Sequence, residues 1–484
     1  MSNHPSEKYE AVIGLEVHAR LLTKSKLFCA DANEYGGAPN QHVSTITFAH
    51  PGTLPKLNKK AVELAVKMGI ACNCKINQNN FFARKHYFYP DLPKGFQTTQ
   101  HTEPICLDGF IKIKTKEGER NVELHHIHIE EDAGKSTHDT DEHFTLVDYN
   151  RAGTPLVEIV TQPAMHSAEE AGSFLTELRK LVRWIDVCNG NMEEGSMRCD
   201  ANISVRLKGE TKLGTRAEVK NLNSIRNVKK AIEFEIERMI NVIENGGRIQ
   251  QETRSFDANT DTTFALRDKE EANDYRYFPE PDLPPIQLSD EYIAAIKNTM
   301  PTLPNELINK LKQQFGLGQN DAAQICAEKE TADYFQQVVA CTSNYKAVAN
   351  WITGPLQQYA NEHKILLAEI NISADDLAAM IQLVDEGQIN FSAAAQKLLP
   401  ALISNAKKLS PAEIAAQLNL LQVNDDDELS LWIDEVLKNM PEKVAEYKKG
   451  KKGLIGLFMG EVKKLSRGKA DPKAATKMLE ERLK

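Results

Sequence analysis

The chain has 484 residues, 41% apolar and 26% charged, an ordinary globular balance whose length predicts about three domains. No run approaches the ~18 consecutive apolar residues of a membrane span, and MSNHPSEKYEAVIG lacks the apolar stretch of a secretion signal, so no membrane association and a cytoplasmic location are expected. Among the eight cysteines only Cys72 and Cys74 lie close together, and they do not form a CxxC; this excludes a disulfide framework and a zinc ribbon and leaves buried, inert thiols as the expectation. A net charge of −9 argues against a general polyanion binder, but the stretch from Lys438 to Lys484 holds 14 Lys and Arg against 6 Asp and Glu. Such a tail either meets a polyanion or forms a solvated helical face.

Taken in chain order, the pattern changes near residue 285. Tyr9–Ala19 alternates with period two, which predicts a strand burying Ile13, Leu15, Val17 and Ala19 and presenting Gly14, Glu16 and His18 on its other face. Further strands are predicted at Gly109–Thr115, Val122–Glu131, Thr145–Tyr149, Leu156–Thr161 and Ala201–Leu207. Helices are predicted at Lys59–Gly69, Ser167–Val187 and Ser224–Glu244, the last capped by Asn223 or Ser224. The fold class is therefore α+β with a largely antiparallel sheet. Four prolines in Tyr275–Pro285 make an extended end to this domain, expected to span 1–290. Helical patterns follow, with starts at Ser373 and Ser410; the latter has capping-box spacing to Glu413 and Pro411 at the first helical position. A helical domain is expected at 291–407 and a small basic helical tail domain at 408–484.

Three predicted strands carry acids able to gather on one sheet face. Glu16 and His18 are two apart and share a face. In HHIHIEED, His125, Ile127, Ile129 and Glu131 share one face, and His126, His128 and Glu130 the other. Glu158 interrupts an otherwise apolar strand, where a carboxylate is unfavourable unless paired or bound to a cation. Converging carboxylates repel, and a divalent ion relieves this: oxygen ligands favour Mg²⁺, while the imidazole of His18 also suits Mn²⁺ or Zn²⁺. The alternative from spacing alone is a set of polar groups on an exposed sheet face.

RKHYFYPDLPKGFQ (84–97) mixes Arg84, Lys85, His86 and Lys94 with four aromatic rings, a composition that suits a phosphorylated ligand bearing a base, or else a domain core with flanking charge. EDAGKS (131–136) imitates the end of a phosphate-binding loop, but Ile129 stands where the first glycine is needed; a Walker A loop is excluded, although Lys135 and Ser136 remain phosphate candidates. Arg198, Asp200 and Asn202 alternate along one strand face, as a binding surface or a cross-strand ion ladder would.

Together VIGLEVHARL (12–21), RKHYFYPDLPKGFQ (84–97), HIEEDAGKS (128–136), VDYNRAGTPLVEIVTQP (147–163), EEGSMRCDANISVR (193–206), VKNLNS (219–224) and DYRYFPEPDLPP (274–285) resemble the B-type subunit of the aspartyl/glutamyl-tRNA amidotransferases, from residue 9 to the C-terminus. The resemblance implies a cradle domain similar to glutamine synthetase, a helical domain and a small tail domain. It implies that ATP phosphorylates the side-chain carboxylate of glutamate or aspartate misattached to tRNA(Gln) or tRNA(Asn). Ammonia, channelled from a partner A-type amidase that is braced by a small C-type protein, then displaces the phosphate. The resemblance further implies metal ligands at Glu16, His18, Glu131 and Glu158, catalytic roles for Lys85 and Arg198, and ATP contacts drawn from Arg84, Lys94, Lys135 and Ser136. The tail domain is expected to meet tRNA phosphates through Lys463, Lys464, Arg467 and Lys469. The family's zinc-binding cysteine pairs are reduced here to Cys29, the second region reading HVSTITFAH (42–50), so no structural zinc is expected. A non-catalytic tRNA-binding protein and a stand-alone amide ligase are the competing classes; the four ligand candidates disfavour the first and the basic tail the second.

Overall fold

The computed structural model describes residues 8–138, 141, 143–268, 274–404, 409–421, 426–466, 470 and 472–484. Contacts divide the chain into two compact units, between Leu303 and Pro304. The first is mixed α and β; the second is helical.

A ten-stranded sheet organises the described part of the first unit. Its strands are β1 (Tyr9–Arg20), β2 (Lys75–Ile76), β3 (Cys106–Leu107), β4 (Phe110–Thr115), β5 (Gly118–Glu131), β6 (Pro155–Thr161), β7 (Met197–Leu207), β8 (Ala217–Leu222), β9 (Glu252–Asp257) and β10 (Thr262–Asp268). They run in the order β10-β9-β8-β7-β1-β6-β5-β3-β2, with β4 paired to β5, and every pairing is antiparallel except β8 with β9. Long β1 lies between β6 and β7, and its alternation does what period two predicts: Ile13, Leu15, Val17 and Ala19 are at most 1% exposed. They pack with Ile127, Ile129, Val157, Ile159, Ala201 and Ile203 into the apolar layer beneath the sheet.

Two amphipathic helices, α1 (Ala168–Trp184) and α2 (Ile225–Glu244), pack on each other and on the sheet. Phe174, Leu175, Leu178 and Val182 recur at helical spacing on α1 and are fully buried. Ser167 and Ser224 cap the two helices, each accepting from a backbone N–H three residues on, which settles the second cap on Ser224. Truncating a fully buried aromatic removes its transfer energy and leaves a cavity. Phe174→Ala is therefore expected to destabilise the first unit by about 3–5 kcal/mol, measured as the shift of its denaturant transition.

The second unit is built from short helices. Ser373 caps Ala374–Asp385, and Ser410 forms a capping box with Glu413, with Pro411 opening the helix. The expected domain boundary at 407 lies outside the described residues. Beyond it Leu429, Ile433, Val436, Phe458, Val462 and Leu479 form a core of their own. No helix among the described residues is long and apolar enough to cross a membrane.

Candidate active site

Antiparallel register decides which polar residues meet. Directly opposed residues share a face, and His18 on β1 stands opposite Glu158 on β6 and Arg198 on β7, while Glu158 stands opposite His128 on β5. Glu130 follows His128 on the same face. The side of the sheet away from its apolar layer is thus paved with His126, His128, Glu130, Glu158, His18, Arg198 and Asp200.

At the centre His18 Nε2 lies 3.3 Å from Glu130 Oε1 and 3.3 Å from Glu158 Oε2. His128 Nε2 lies 3.3 Å from Glu158 Oε2 and 3.5 Å from Glu130 Oε2, and Thr99 Oγ1 donates to Glu130 at 3.5 Å. Burial works against charged histidines, but Glu158 and Glu130 outweigh it: His18 is held well above the usual imidazole range and His128 is pushed up to about 9. Burial likewise opposes the two carboxylate charges, and the two imidazoles outweigh it, holding Glu130 and Glu158 below the usual carboxylate range. The cluster thus sets two buried carboxylates against two imidazoles, a compensation that one divalent ion can take over. Among the described residues, His18, Glu130 and Glu158 form the one group whose ligating atoms all lie within 4.8 Å of one another. One imidazole and two carboxylates fit Mg²⁺ or Mn²⁺ and leave coordination positions for water or phosphate.

These groups open into a cleft of about 900 Å³ whose lining includes His18, Glu130, Asp132, Lys135, Arg198 and Lys220. Arg198 Nη2 donates to Asp132 Oδ2 at 2.8 Å, and this pairing outweighs burial and keeps the guanidinium firmly charged. Arg151 approaches the same oxygen at 3.4 Å and donates to the carbonyls of Ala133 and Gly134. Fixed cations therefore stand beside an acidic candidate ion site, an arrangement suited to a polyphosphate.

Two of the four expected ligands, Glu131 and Glu16, lie outside the converging group. Glu131, one residue beyond Glu130, points to the opposite face: its Oε1 pairs with Lys94 and accepts from Thr98 N at 2.8 Å. Glu16 shares the cleft face but falls outside the ligand group, accepting from Asn202 Nδ2 at 2.9 Å; burial, then Glu158 and Glu218, raise its pKa. Glu130 is the member of the converging group that sequence reasoning did not name, although its shared parity with His128 was the available signal.

Arg84 and Lys94 are likewise placed away from the cleft. They line a second pocket of about 310 Å³ with Phe28, Phe96, Glu131 and Glu280; Asp132 contributes to both cavities. Arg84 is engaged by Glu280 at 2.7 and 2.8 Å and sits 4.3 Å from the Phe96 ring centroid. Lys85 points elsewhere, 4.9 Å from the Tyr275 ring centroid; burial lowers its pKa, but Tyr277, Glu130 and Glu158 more than restore it. Lys135 lines the cleft, whereas Ser136 beside it does not. In the second unit Lys463 and Lys464 are exposed in the last turn of the helix Ile455–Leu465. Arg467 and Lys469 lie outside the described residues.

The GatB/GatE catalytic domain matches residues 11–294, and the GatB domain matches residues 333–483. The B-type subunit of the aspartyl/glutamyl-tRNA(Asn/Gln) amidotransferase of Thermodesulfovibrio yellowstonii is 44% identical over 98% of both chains. Its counterpart in Persephonella marina is 44% identical over 99% of this chain and 100% of its own. That of Alkalilimnicola ehrlichii is also 44% identical, over 98% of this chain and 99% of its own. With domain matches across both units and full-length relatives at this identity, the chain belongs to the GatB family, the B-type subunits of the aspartyl/glutamyl-tRNA(Asn/Gln) amidotransferases.

Proposed function

We propose that this chain amidates glutamate carried on tRNA(Gln), aspartate carried on tRNA(Asn), or both, by an ATP-dependent route through an acyl phosphate. The observation that carries this reading is the His18–Glu130–Glu158 group, two of whose members, His18 and Glu130, line a cleft together with Arg198 and Lys135. A carboxylate does not accept ammonia directly, because oxide is a poor leaving group; transfer of the γ-phosphoryl onto one carboxylate oxygen creates a leaving group that ammonia then displaces. Phosphoryl transfer needs positioning and charge neutralisation above all. A bound Mg²⁺ supplies charge neutralisation for the phosphate oxygens. The chain's part is to hold that ion with His18, Glu130 and Glu158, to set Arg198 beside the transferring group, and to offer Lys135 to the outer phosphates. Lys85, whose charge is favoured by Tyr277, Glu130 and Glu158, is assigned to stabilise the anionic side of the reaction. In this reading the first unit is a cradle similar to that of glutamine synthetase, with the polar sheet face as its floor. Ammonia comes from a partner A-type amidase, and a small C-type protein completes the complex.

The direct test supplies the chain with ATP, Mg²⁺, ammonium and Glu-tRNA(Gln) or Asp-tRNA(Asn), and analyses the amino acid released from the tRNA. Glutamine or asparagine supports the proposal. Bound but unconverted tRNA identifies a non-catalytic binder, and conversion of free amino acid identifies a stand-alone ligase.

The tail domain is assigned to the tRNA body, its exposed lysines meeting phosphates and positioning the substrate without reading bases. Replacing Lys463 and Lys464 together by alanine is expected to weaken tRNA binding and make the logarithmic salt dependence shallower by about 1.5–2 units. Binding titrations at several salt concentrations check this; an unchanged slope removes the assignment.

A further inference from the structure

β5 carries three histidines in four positions, and they form a connected row. His125 Nδ1 and His126 Nδ1 are hydrogen-bonded at 2.7 Å, and His126 Nε2 and His128 Nδ1 at 3.0 Å. The His126 and His128 rings lie near-parallel, 20° apart, with centroids separated by 5.1 Å. The row starts at exposed His125 and ends at His128, which is 7% exposed. There His128 Nε2 sits between Glu130 Oε2 and Glu158 Oε2.

This places His128 as a clasp on the ion site. It engages one oxygen of Glu130, while the other, Oε1, faces His18 at 3.3 Å. Two neighbouring buried carboxylates repel, and each can rotate about its terminal torsion. A donor set between them fixes both planes before an ion arrives. The clasp works only while its own ring is fixed, because a flip of the imidazole puts carbon where each nitrogen stood. His128 is pinned at both nitrogens: Nε2 by the carboxylates and Nδ1 by His126. The contact with His126 holds whichever ring carries the shared hydrogen, so it does not depend on the charge state of His128. His125 in turn occupies the far nitrogen of His126.

We infer that His126 is a positioning residue for the divalent-ion site, acting through His128 to preorganise Glu130 and Glu158. It is neither one of the candidate ion ligands nor part of the cleft lining, and its hydrogen bond to His128 is its link to the site. This rests on the ion-binding reading of the cluster. Outer partners of metal ligands typically change metal affinity about 10–100-fold when removed.

The test is Mn²⁺ binding to the full-length chain by isothermal titration, with thermal melting as a control for folding. His126→Phe keeps an aromatic ring for stacking but removes both nitrogens, and is expected to weaken Mn²⁺ binding at least ~10-fold. His126→Gln restores an amide group that can hydrogen-bond His128, and is expected to recover most of the loss. His126→Phe with wild-type affinity and a wild-type melt overturns the inference, as does a loss that His126→Gln shares in full. If His126→Phe does not fold, the ¹⁵N spectrum of Mg²⁺-loaded wild type decides: a hydrogen-bonded His128 Nδ1 supports the row, and a free one overturns it. A wild-type chain that takes up no Mn²⁺ removes the ion-binding reading itself, and the inference with it.

Discussion

Glu130→Ala is expected to abolish ATP-dependent activation of the tRNA-borne carboxylate and to cost Mn²⁺ affinity more than the ~10–100-fold typical of outer-partner changes. Glu130 supplies one of three ligating groups, and its removal leaves His18 and Glu158 without the second carboxylate that completes the set. It also frees His128 and His18 from one of their two anionic partners. The neighbouring variant Glu131→Gln separates this account from one based on sequence adjacency. Glu131 engages Lys94 and Thr98 N on the other side of the strand, so Mn²⁺ affinity is expected to stay unchanged in Glu131→Gln. Titration of both variants with Mn²⁺, each with an unshifted melt, measures the difference. Equal losses in the two would contradict the assignment of Glu130.

Arg198→Ala is expected to slow phosphoryl transfer about 10²–10³-fold while leaving Mn²⁺ affinity intact, the signature of a group that stabilises developing charge without holding the ion. Its guanidinium lines the cleft on the strand position opposite His18 and is aimed by the 2.8 Å bond to Asp132. Arg198→Lys is expected to recover little, because an ammonium lacks the planar fork that can pair with Asp132 and a phosphate oxygen together. Single-turnover ADP formation in the presence of aminoacylated tRNA reads the effect. A wild-type rate in Arg198→Ala would remove Arg198 from the chemistry.

Much of the fold was legible because period and caps are local. Tyr9–Ala19 announced both its strand and its buried face, and Ser373 and Ser410 announced helix starts. Parity also put Glu16 with His18, and Glu130 with His128. What parity could not supply was pairing: only the placement of β6 between β1 and β5 brings Glu158 to His18 and His128 at once. Because a one-residue step reverses the face, Glu130 and Glu131 have unrelated surroundings although adjacent in sequence. Arg84 shows the complementary limit. Its cation and aromatic neighbours suggested phosphate, but its partner Glu280 lies 196 positions away, and that pairing commits the guanidinium to the smaller pocket. The second cap was ambiguous between Asn223 and Ser224 because both side chains can accept; backbone geometry chose Ser224, while Asn223 accepts from Asn227 Nδ2.

The most direct test of the ion-centred account is anomalous diffraction from crystals of the chain equilibrated with Mn²⁺. A peak within roughly 2 Å of His18 Nε2 and of oxygens from Glu130 and Glu158 is predicted. A peak held by Glu131 instead, or none in the cleft at saturating Mn²⁺, would contradict it.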